Sequence, residues 1–329
     1  MTNKITPMGL TFGSLGSLGP AAIQDIARLS FELGYKSLWT VEATGTDAFT
    51  LLGAVSAVSP ALGLGTGIIP VQFRPPTLTA MSAASLQAMS PDADIWIGLG
   101  VSAPGILRQH GYDAPDRPIA LMREYVTLLR ACLSGESVTF EGEFWQVNRF
   151  QLGVRLGTRK PRIVMAALNP QMLKLAGEIA DGVLLNYIPA SHVAPSVAKV
   201  REGGDAKIFA YIHACVGELE KYQHLAQRDL FNYAMADGYA RMFRSAGFEQ
   251  EVDQLREKQA AKDREGALAS VSPEMIQAID FIGSESDVTS FVKQYLNEGV
   301  EYPVLMPMPW GDDRRASAEA CIKAAIQAV

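Results

Sequence analysis

LGLGTGIIP at Leu62–Pro70 and DIWIGLGVSAPG at Asp94–Gly105 are the two stretches that decide the fold. Each is an apolar run that ends in small residues, and a segment of helical character follows each one. A parallel strand delivers a loop at its carboxyl end in this way, and small residues there let the backbone approach a planar ligand closely. The two stretches therefore predict a (β/α) barrel that holds a flat cofactor.

The same alternation of strand and helix continues along the chain. Eight strands are predicted, at Met8–Phe12, Ser37–Val41, Leu62–Ile69, Ile95–Leu99, Arg162–Ala167, Gly182–Asn186, Lys207–Val216 and Pro303–Met306. Helices are predicted from Pro20 to Gly34, from the capping residue Asp47 to about Val58, and at Pro75–Met89, Arg117–Leu133, Pro170–Ala180, Ser286–Glu298 and Arg314–Val329. Repeated alternation implies a parallel sheet with right-handed crossovers, and eight strands in this order favour a (β/α)8 TIM barrel over an open sheet.

Two segments depart from this alternation. The residues around EGEFWQV predict a small hairpin at Ser137–Val147. The stretch from Glu218 to about Gly266 is charged and helical in character, and we interpret it as an insertion that serves as a mobile cap or an oligomer contact. We expect residues 1–329 to form one barrel domain with this helical insertion late in the chain.

Composition narrows the class of protein. The chain has 329 residues, of which 48% are hydrophobic, and its net charge of −6 with no basic block argues against a nucleic-acid surface. No stretch is long enough for a membrane span, and the opening MTNKITPMGLTFG lacks the apolar core of a secretory signal. Three widely spaced cysteines give no disulfide framework and no metal knuckle, so a cytoplasmic protein is expected.

Longer motifs are similar to a known family. LGYKSLWTVEATGTDA (Leu33–Ala48), LGLGTGIIPVQFRPPTLTAMSAASLQAMSP (Leu62–Pro91), IGLGVSAPGILRQHGY (Ile97–Tyr112), TFEGEFWQV (Thr139–Val147) and GEIADGVLLNY (Gly177–Tyr187) carry the resemblance. Over most of its length the chain resembles the luciferase-like monooxygenase superfamily, in particular the branch of oxidoreductases that use the deazaflavin coenzyme F420. The resemblance implies a (β/α)8 barrel with a late insertion, and assembly into homodimers or higher homo-oligomers.

The end of the third strand is the first site that the resemblance implies. Thr66, Gly67 and Ile68 match a family bulge that backs the ring system and contains a non-proline cis peptide, here the Gly67–Ile68 bond. Gly67 suits that position because it has no β-carbon. From the residues alone, an ordinary buried strand with a tight glycine end is the alternative.

The loop after the fourth strand is the second implied site. Gly100, Val101, Ser102 and Ala103 occupy the positions where the family's loop passes the cofactor. The Ser102 hydroxyl has the chemistry to donate to a ring carbonyl or a ribityl hydroxyl. The alternative for Ser102 is the cap of the helix that follows, and the two roles are compatible.

Two later strand ends are the implied phosphate site. Ala166, Ala167, Leu168 and Asn169 lead from the fifth strand into a helix whose N-terminal N–H groups suit a phosphate. Family members often have two glycines where this chain has Leu168 and Asn169. Asn186, at the end of the sixth strand, resembles the residue that closes the phosphate pocket, and turn chemistry is the alternative for both asparagines.

The end of the second strand bears on the chemistry. In the sugar-phosphate and alcohol dehydrogenases of this superfamily an Asp-His pair occupies the positions of Glu42 and Ala43, and the histidine acts as the base. This chain has no histidine there, so we expect a different reaction. Glu42 is the first candidate proton carrier, with a structural acceptor as its alternative, and His110 is the second candidate. No pair of histidines has metal-ligand spacing, and no metal is expected.

The sequence thus predicts an F420-dependent oxidoreductase that transfers a hydride to or from a small organic substrate, with reduction of activated C=C or C=N bonds included. An FMN-dependent monooxygenase on the same fold is the first alternative. A flavin-binding barrel without turnover is the second. The chain has no GxGxxG after its first strand and no GxxxxGK[ST], which argues against a Rossmann dehydrogenase and a P-loop NTPase.

Overall fold

Eight parallel strands close into a barrel in the computed structural model, which describes residues 6–329. The strands in chain order are β1 (Gly9–Thr11), β2 (Ser37–Thr40), β3 (Gly63–Thr66), β4 (Ile69–Pro70), β5 (Ile95–Gly100), β6 (Val138–Glu141), β7 (Gln146–Phe150), β8 (Arg162–Ala166), β9 (Gly182–Leu185), β10 (Lys207–Val216), β11 (Asp280–Gly283) and β12 (Tyr302–Pro307). The barrel order is β1-β2-β3-β5-β8-β9-β10-β12, and β12 pairs back with β1. The predicted TIM barrel is confirmed.

Helices cover the outside of the barrel. They are α1 (Ile23–Glu32), α2 (Ala48–Val58), α3 (Pro76–Met89), α4 (Pro104–Gln109), α5 (Pro118–Cys132), α6 (Pro170–Ile179), α7 (Val193–Arg201), α8 (Leu219–Ala234), α9 (Asp237–Phe243), α10 (Glu249–Ala260), α11 (Arg264–Ala269), α12 (Pro273–Ile279), α13 (Glu285–Asn297) and α14 (Arg314–Ala325). Asp47 caps α2 as expected, since its side chain accepts a hydrogen bond from the Thr50 N–H. The segment opened by Pro20 begins as a 3₁₀ turn and continues as α1.

Aromatic side chains from several strands pack against one another in the barrel core. Trp39 lies 5.4 Å from Phe209 between ring centroids, Trp96 lies 5.0 Å from Phe209, and Tyr302 stacks on Phe209 at 4.9 Å. A β-carbon at Gly65 would stand 2.5 Å from Trp39 Cε3, so the glycine makes room for the indole. Trp39 is fully buried and belongs to this core.

Two expected elements differ from the structure, and one strand was not expected. The third strand is not continuous from Leu62 to Ile69, because it divides into β3 and β4. The hairpin runs on to Phe150. β11 was not expected, because it is a four-residue strand that begins with an acidic residue. It pairs with the last four residues of β10.

The insertion after β10 is helical, as the sequence indicates. Helices α8 to α11 form it, and α8 and α9 bring Asp229 and Tyr239 over the carboxyl end of the barrel. Within residues 6–329, no helix has the length and apolarity needed to cross a membrane. The first five residues, on which the expectation about a leader partly rests, lie outside the described residues.

Candidate active site

A bulge separates β3 from β4 at the carboxyl end of the barrel. Gly65 pairs with Trp96 and Ile69 pairs with Leu99, so Thr66–Ile68 stands opposite the two residues Ile97 and Gly98. Thr66 Oγ1 donates to the Gly98 carbonyl at 3.0 Å and accepts from the Gly98 N–H at 2.8 Å, which replaces the interrupted strand pairing. The peptide bond between Gly67 and Ile68 is cis, as the resemblance implied.

The loop after β5 lies beside this bulge. A β-carbon at Gly100 would stand 3.0 Å from Ile68 Cδ1 and 3.5 Å from Ala166 Cβ. The predicted residues Ile68, Gly100 and Ala166 are therefore brought together at the barrel mouth. Ile68, Val101, Ser102, Ala103 and Ala166 are all half-buried there.

Ser102 does not cap the following helix. Ala103 is the N-cap of α4, with no side-chain hydrogen bond, so the capping alternative is wrong. Ser102 instead has a positive φ of 58°, in the left-handed region that a residue with a side chain seldom adopts. Such conformations often occur at functional sites.

The two predicted phosphate loops meet the insertion. Asn169 is the N-cap residue of α6, but its side chain does not cap that helix and instead donates to the Gly238 carbonyl at 3.3 Å. Asn186 donates from Nδ2 to the Tyr239 hydroxyl at 3.1 Å. Helix α9 thus bridges the ends of β8 and β9, while the N–H groups of the first turn of α6 have no side-chain cap.

A cleft of about 550 Å³ opens on the opposite rim of the mouth. Its lining includes Glu42, Ala43, Phe73, Arg74 and His110. Arg74 Nη2 donates to Glu42 Oε1 at 3.0 Å and also pairs with Asp47, while the Ala48 N–H donates to the same Glu42 oxygen at 3.3 Å. Glu42 therefore has the contacts of a structural acceptor.

His110 lies beside Ala43, the position at which the resemblance implies a histidine in the sugar-phosphate and alcohol dehydrogenases. Its Nε2 lies 2.6 Å from the Ala43 carbonyl oxygen, and its ring packs on Phe73 with centroids 4.1 Å apart. Ala43 and His110 are 67 residues apart in the sequence. The tertiary structure thus brings an imidazole from the end of α4 beside the position that lacks one.

Sequence reasoning missed a buried polar cluster at the mouth. His213 on β10 hydrogen-bonds to both Asn186 and Asp280. One ligand-type atom from each of His213, Asp229 and Asp280 lies within 4.8 Å of the other two. Their spacing in the sequence gave no signal, because the three residues come from β10, α8 and β11.

The chain belongs to the luciferase-like monooxygenase family, whose profile matches residues 7–302. The 5,10-methylenetetrahydromethanopterin reductase of Archaeoglobus fulgidus is 24% identical over 306 residues, which are 89% of this chain and 91% of the relative. The F420-dependent glucose-6-phosphate dehydrogenase of Nakamurella multipartita is 30% identical over 207 residues, 59% of this chain and 60% of that protein. The structure of the coenzyme F420-dependent tetrahydromethanopterin reductase of Methanopyrus kandleri superposes with a TM-score of 0.78 at 21% identity, and 98% of each chain is covered.

Proposed function

We propose that this protein is an oxidoreductase that uses F420 to transfer a hydride to or from a small organic substrate. The observation that carries the proposal is the meeting of the Thr66–Ile68 bulge with Gly100 and Ala166 at the barrel mouth. Full-length similarity to a methylenetetrahydromethanopterin reductase, and partial similarity to an F420-dependent dehydrogenase, support the choice of cofactor.

The residues at the mouth fit a flat ring with a phosphate arm. Ile68 offers a half-buried apolar surface, and the half-buried side chains of Val101, Ser102 and Ala103 after β5 are small. The first turn of α6 offers the N–H groups of Gln171 and Met172 to a phosphate, where the helix dipole favours negative charge. We assign Thr66, Gly67, Ile68 and Gly100 to the ring, and Ala167, Leu168, Asn169 and Asn186 to the phosphate arm.

Deazaflavin supplies two-electron hydride chemistry when it is bound, and the protein supplies position and the exclusion of water. The cleft beside Glu42 and His110 is the substrate site in this proposal. His110 donates its Nε2 proton to the Ala43 carbonyl and keeps a lone pair on Nδ1. Nδ1 accepts a proton from the substrate in one direction of the reaction and returns it in the other. Both Glu42 oxygens lie within 3.5 Å of Arg74 Nε, so Glu42 acts by holding the cleft wall.

Binding measurements separate F420 from FMN. Purified protein is titrated with each cofactor and the quenching of cofactor fluorescence is followed. We expect F420 to bind at least about tenfold more tightly than FMN, a difference of about 1.4 kcal/mol. Tighter binding of FMN would favour the monooxygenase alternative.

Turnover separates an enzyme from a binding protein. Reduced F420 is mixed with a panel of activated enones and imines, and its reoxidation is followed under anaerobic conditions. Consumption that depends on one panel member supports the proposal. Tight F420 binding with no consumption by any member would favour the barrel that binds without turnover.

We further propose a cytoplasmic homodimer or higher homo-oligomer. The buried, unpaired Cys132, Cys215 and Cys321 suit a reducing compartment. Leu78, Met81 and Met89 expose 41%, 49% and 52% of their surface along α3, which is a stripe suited to a second copy. Light scattering that gives the mass of a single chain would contradict this assignment.

A further inference from the structure

The buried cluster behind Asn186 forms one continuous chain of hydrogen bonds. Asp280 Oδ1 lies 3.0 Å from His213 Nδ1, and His213 Nε2 lies 3.0 Å from Asn186 Oδ1. Asn186 Nδ2 then donates to the Tyr239 hydroxyl. His213 and Asp280 are 1% and 0% exposed, whereas Asn186 is half-buried at the end of β9. The chain therefore leads from the interior to a residue that a ligand in the mouth can reach.

The position of each proton in this chain follows from the orientation of the Asn186 amide, with its nitrogen toward Tyr239. Because the amide nitrogen of Asn186 faces Tyr239, its oxygen faces His213 and needs a donor there, which is Nε2–H. A neutral imidazole then has only a lone pair on Nδ1, so the proton between Nδ1 and Asp280 comes from the carboxyl group. An Asn186 amide fixed in this way keeps a second N–H for a ligand.

We propose that His213 and Asp280 are positioning residues that hold Asn186 with its amide nitrogen outward, so that Asn186 presents a hydrogen-bond donor to an anionic oxygen of the bound cofactor. The inference rests on the proposed cofactor site, because it needs a ligand beside Asn186. It goes beyond that site because it assigns a role to two buried residues that do not touch the ligand.

Burial supports the neutral form of both partners. Removal from water lowers the pKa of His213 to about 4 and raises the pKa of Asp280 to about 8. Asp229 on α8 faces Asp280, and burial together with that neighbouring carboxylate raises the pKa of Asp229 to about 7. Asp280 Oδ2 has no hydrogen-bond partner by distance among the described residues.

The other groups around Asp280 stay neutral in this range. Tyr187 donates to Asp229 Oδ2 at 2.6 Å, and Tyr233 on α8 and Tyr295 on α13 also face the cluster. Burial raises the pKa of all three hydroxyls well above its usual value. The titration that matters therefore belongs to the two carboxyl groups.

Loss of the proton on Asp280 reverses the chain. The ionised carboxylate favours the imidazole tautomer with its proton on Nδ1, which donates to Asp280. Nε2 then has a lone pair facing Asn186. The amide then turns to donate to Nε2 and presents its oxygen to the mouth. An acceptor in place of a donor weakens the binding of an anionic ligand.

The first test is the pH dependence of F420 affinity, followed by fluorescence quenching. From about pH 6.5 to about pH 9 we expect the Kd of the unmodified protein to rise about tenfold, the scale of one hydrogen bond to a charged group. D280N keeps an N–H toward Nδ1 without a titrating proton at position 280. Its Kd should therefore rise clearly less than tenfold over the same range, in which Asp229 is the remaining carboxyl group that titrates. H213F should bind more weakly at every pH, and H224F, which changes an exposed histidine on α8, should keep the unmodified profile.

The second test needs no cofactor. Nitrogen NMR of the protein labelled at histidine should show the His213 proton on Nε2 near pH 6.5 and on Nδ1 near pH 9.5, on either side of the Asp280 titration. A proton on Nδ1 throughout would overturn the proposal. An unchanged tenfold rise of Kd in D280N would also overturn it. So would a stoichiometric divalent ion bound by His213 and Asp280, because that cation would take the place of the proton between them.

Failure of the proposed function has a different outcome. In that case F420 does not bind the unmodified protein at any pH, while the NMR experiment still reports on His213 and Asp280.

Discussion

Gly67 lies against the phenol of Tyr211, so that a β-carbon at position 67 would overlap the Tyr211 hydroxyl and stand 2.6 Å from its Cζ. Gly67 follows β3 and Tyr211 is on β10, across the barrel interior. The bulge at the mouth is therefore supported from inside the barrel by a fully buried ring.

The first prediction concerns this contact. G67V should lose F420 binding and also destabilise the protein, because overpacking a core costs about 1–3 kcal/mol. The packing against Tyr211 adds the loss of stability, which urea unfolding measures.

A double-mutant cycle tests the cause. Y211F removes the hydroxyl and should recover part of the stability that G67A loses, with a coupling of at least about 0.5 kcal/mol. G53A is the matched control, because a β-carbon at Gly53 in α2 meets no atom within 4 Å, so that change should stabilise α2. Additive effects of G67A and Y211F would show that the two residues do not press on each other.

The second prediction concerns His110. H110Q should slow turnover about 100-fold or more, the usual scale of general acid–base catalysis, and should leave F420 affinity within about twofold. The physical reason is that Gln keeps a donor to the Ala43 carbonyl but cannot carry a proton. Steady-state kinetics with a turned-over panel substrate measures the effect, and unchanged kcat would move the role to Glu42.

The third prediction concerns Glu42. E42Q should lower the free energy of unfolding by about 1–2 kcal/mol, because it removes the negative charge that pairs with Arg74. The Glu42 side chain is only 8% exposed. Gln retains an acceptor for the Ala48 N–H, so the loop should keep its conformation. Chemical denaturation gives the stability change, and a 100-fold loss of kcat in a stable E42Q protein would identify Glu42 as the proton carrier after all.

The fourth prediction concerns the phosphate arm. The double variant N169A/N186A should weaken F420 binding by about 1.5–3 kcal/mol, since it removes polar groups assigned beside a charged ligand. N297A, at the exposed end of α13, is the control and should bind normally. Fluorescence titration measures both, and a change below about twofold in the double variant would place the phosphate elsewhere.

The fifth prediction concerns Asp47. Burial raises its pKa, but hydrogen bonds from Thr50 and the charge of Arg74 outweigh that effect and hold the pKa below its ordinary value of 3.8. A carboxyl group whose pKa is lower in the folded protein than in the unfolded chain stabilises the fold at pH values above its unfolded-state pKa. That stabilisation is lost as the pH falls through its folded-state pKa. D47N has no titrating carboxyl group, so its unfolding in urea should depend less on acid, and its side-chain oxygen still caps α2. D47A also loses the cap, which should cost about 1 kcal/mol at neutral pH. Equal acid dependence of D47N and the unmodified protein would contradict the assignment.

The sequence was sufficient for the barrel and for the positions of its loops. The strand Lys207–Val216 has the observed bounds, and most other strands agree within two residues, because buried parallel strands are uninterrupted apolar runs between helices. The family motif also located the Gly67–Ile68 peptide. It did not reveal β11, since four residues beginning with Asp280 carry no periodic signal.

What the sequence by itself determined was the fold, the family and the set of strand ends that form the mouth. Only the tertiary structure decided which side chains meet there: His110 with Ala43, Glu42 with Arg74, and His213 with Asp280 and Asn186. Local patterns report on residues a few positions apart, because they reflect the periods of helix and strand. Contacts across 67 residues, such as His213 with Asp280, exist only once the barrel has closed and its loops share one rim.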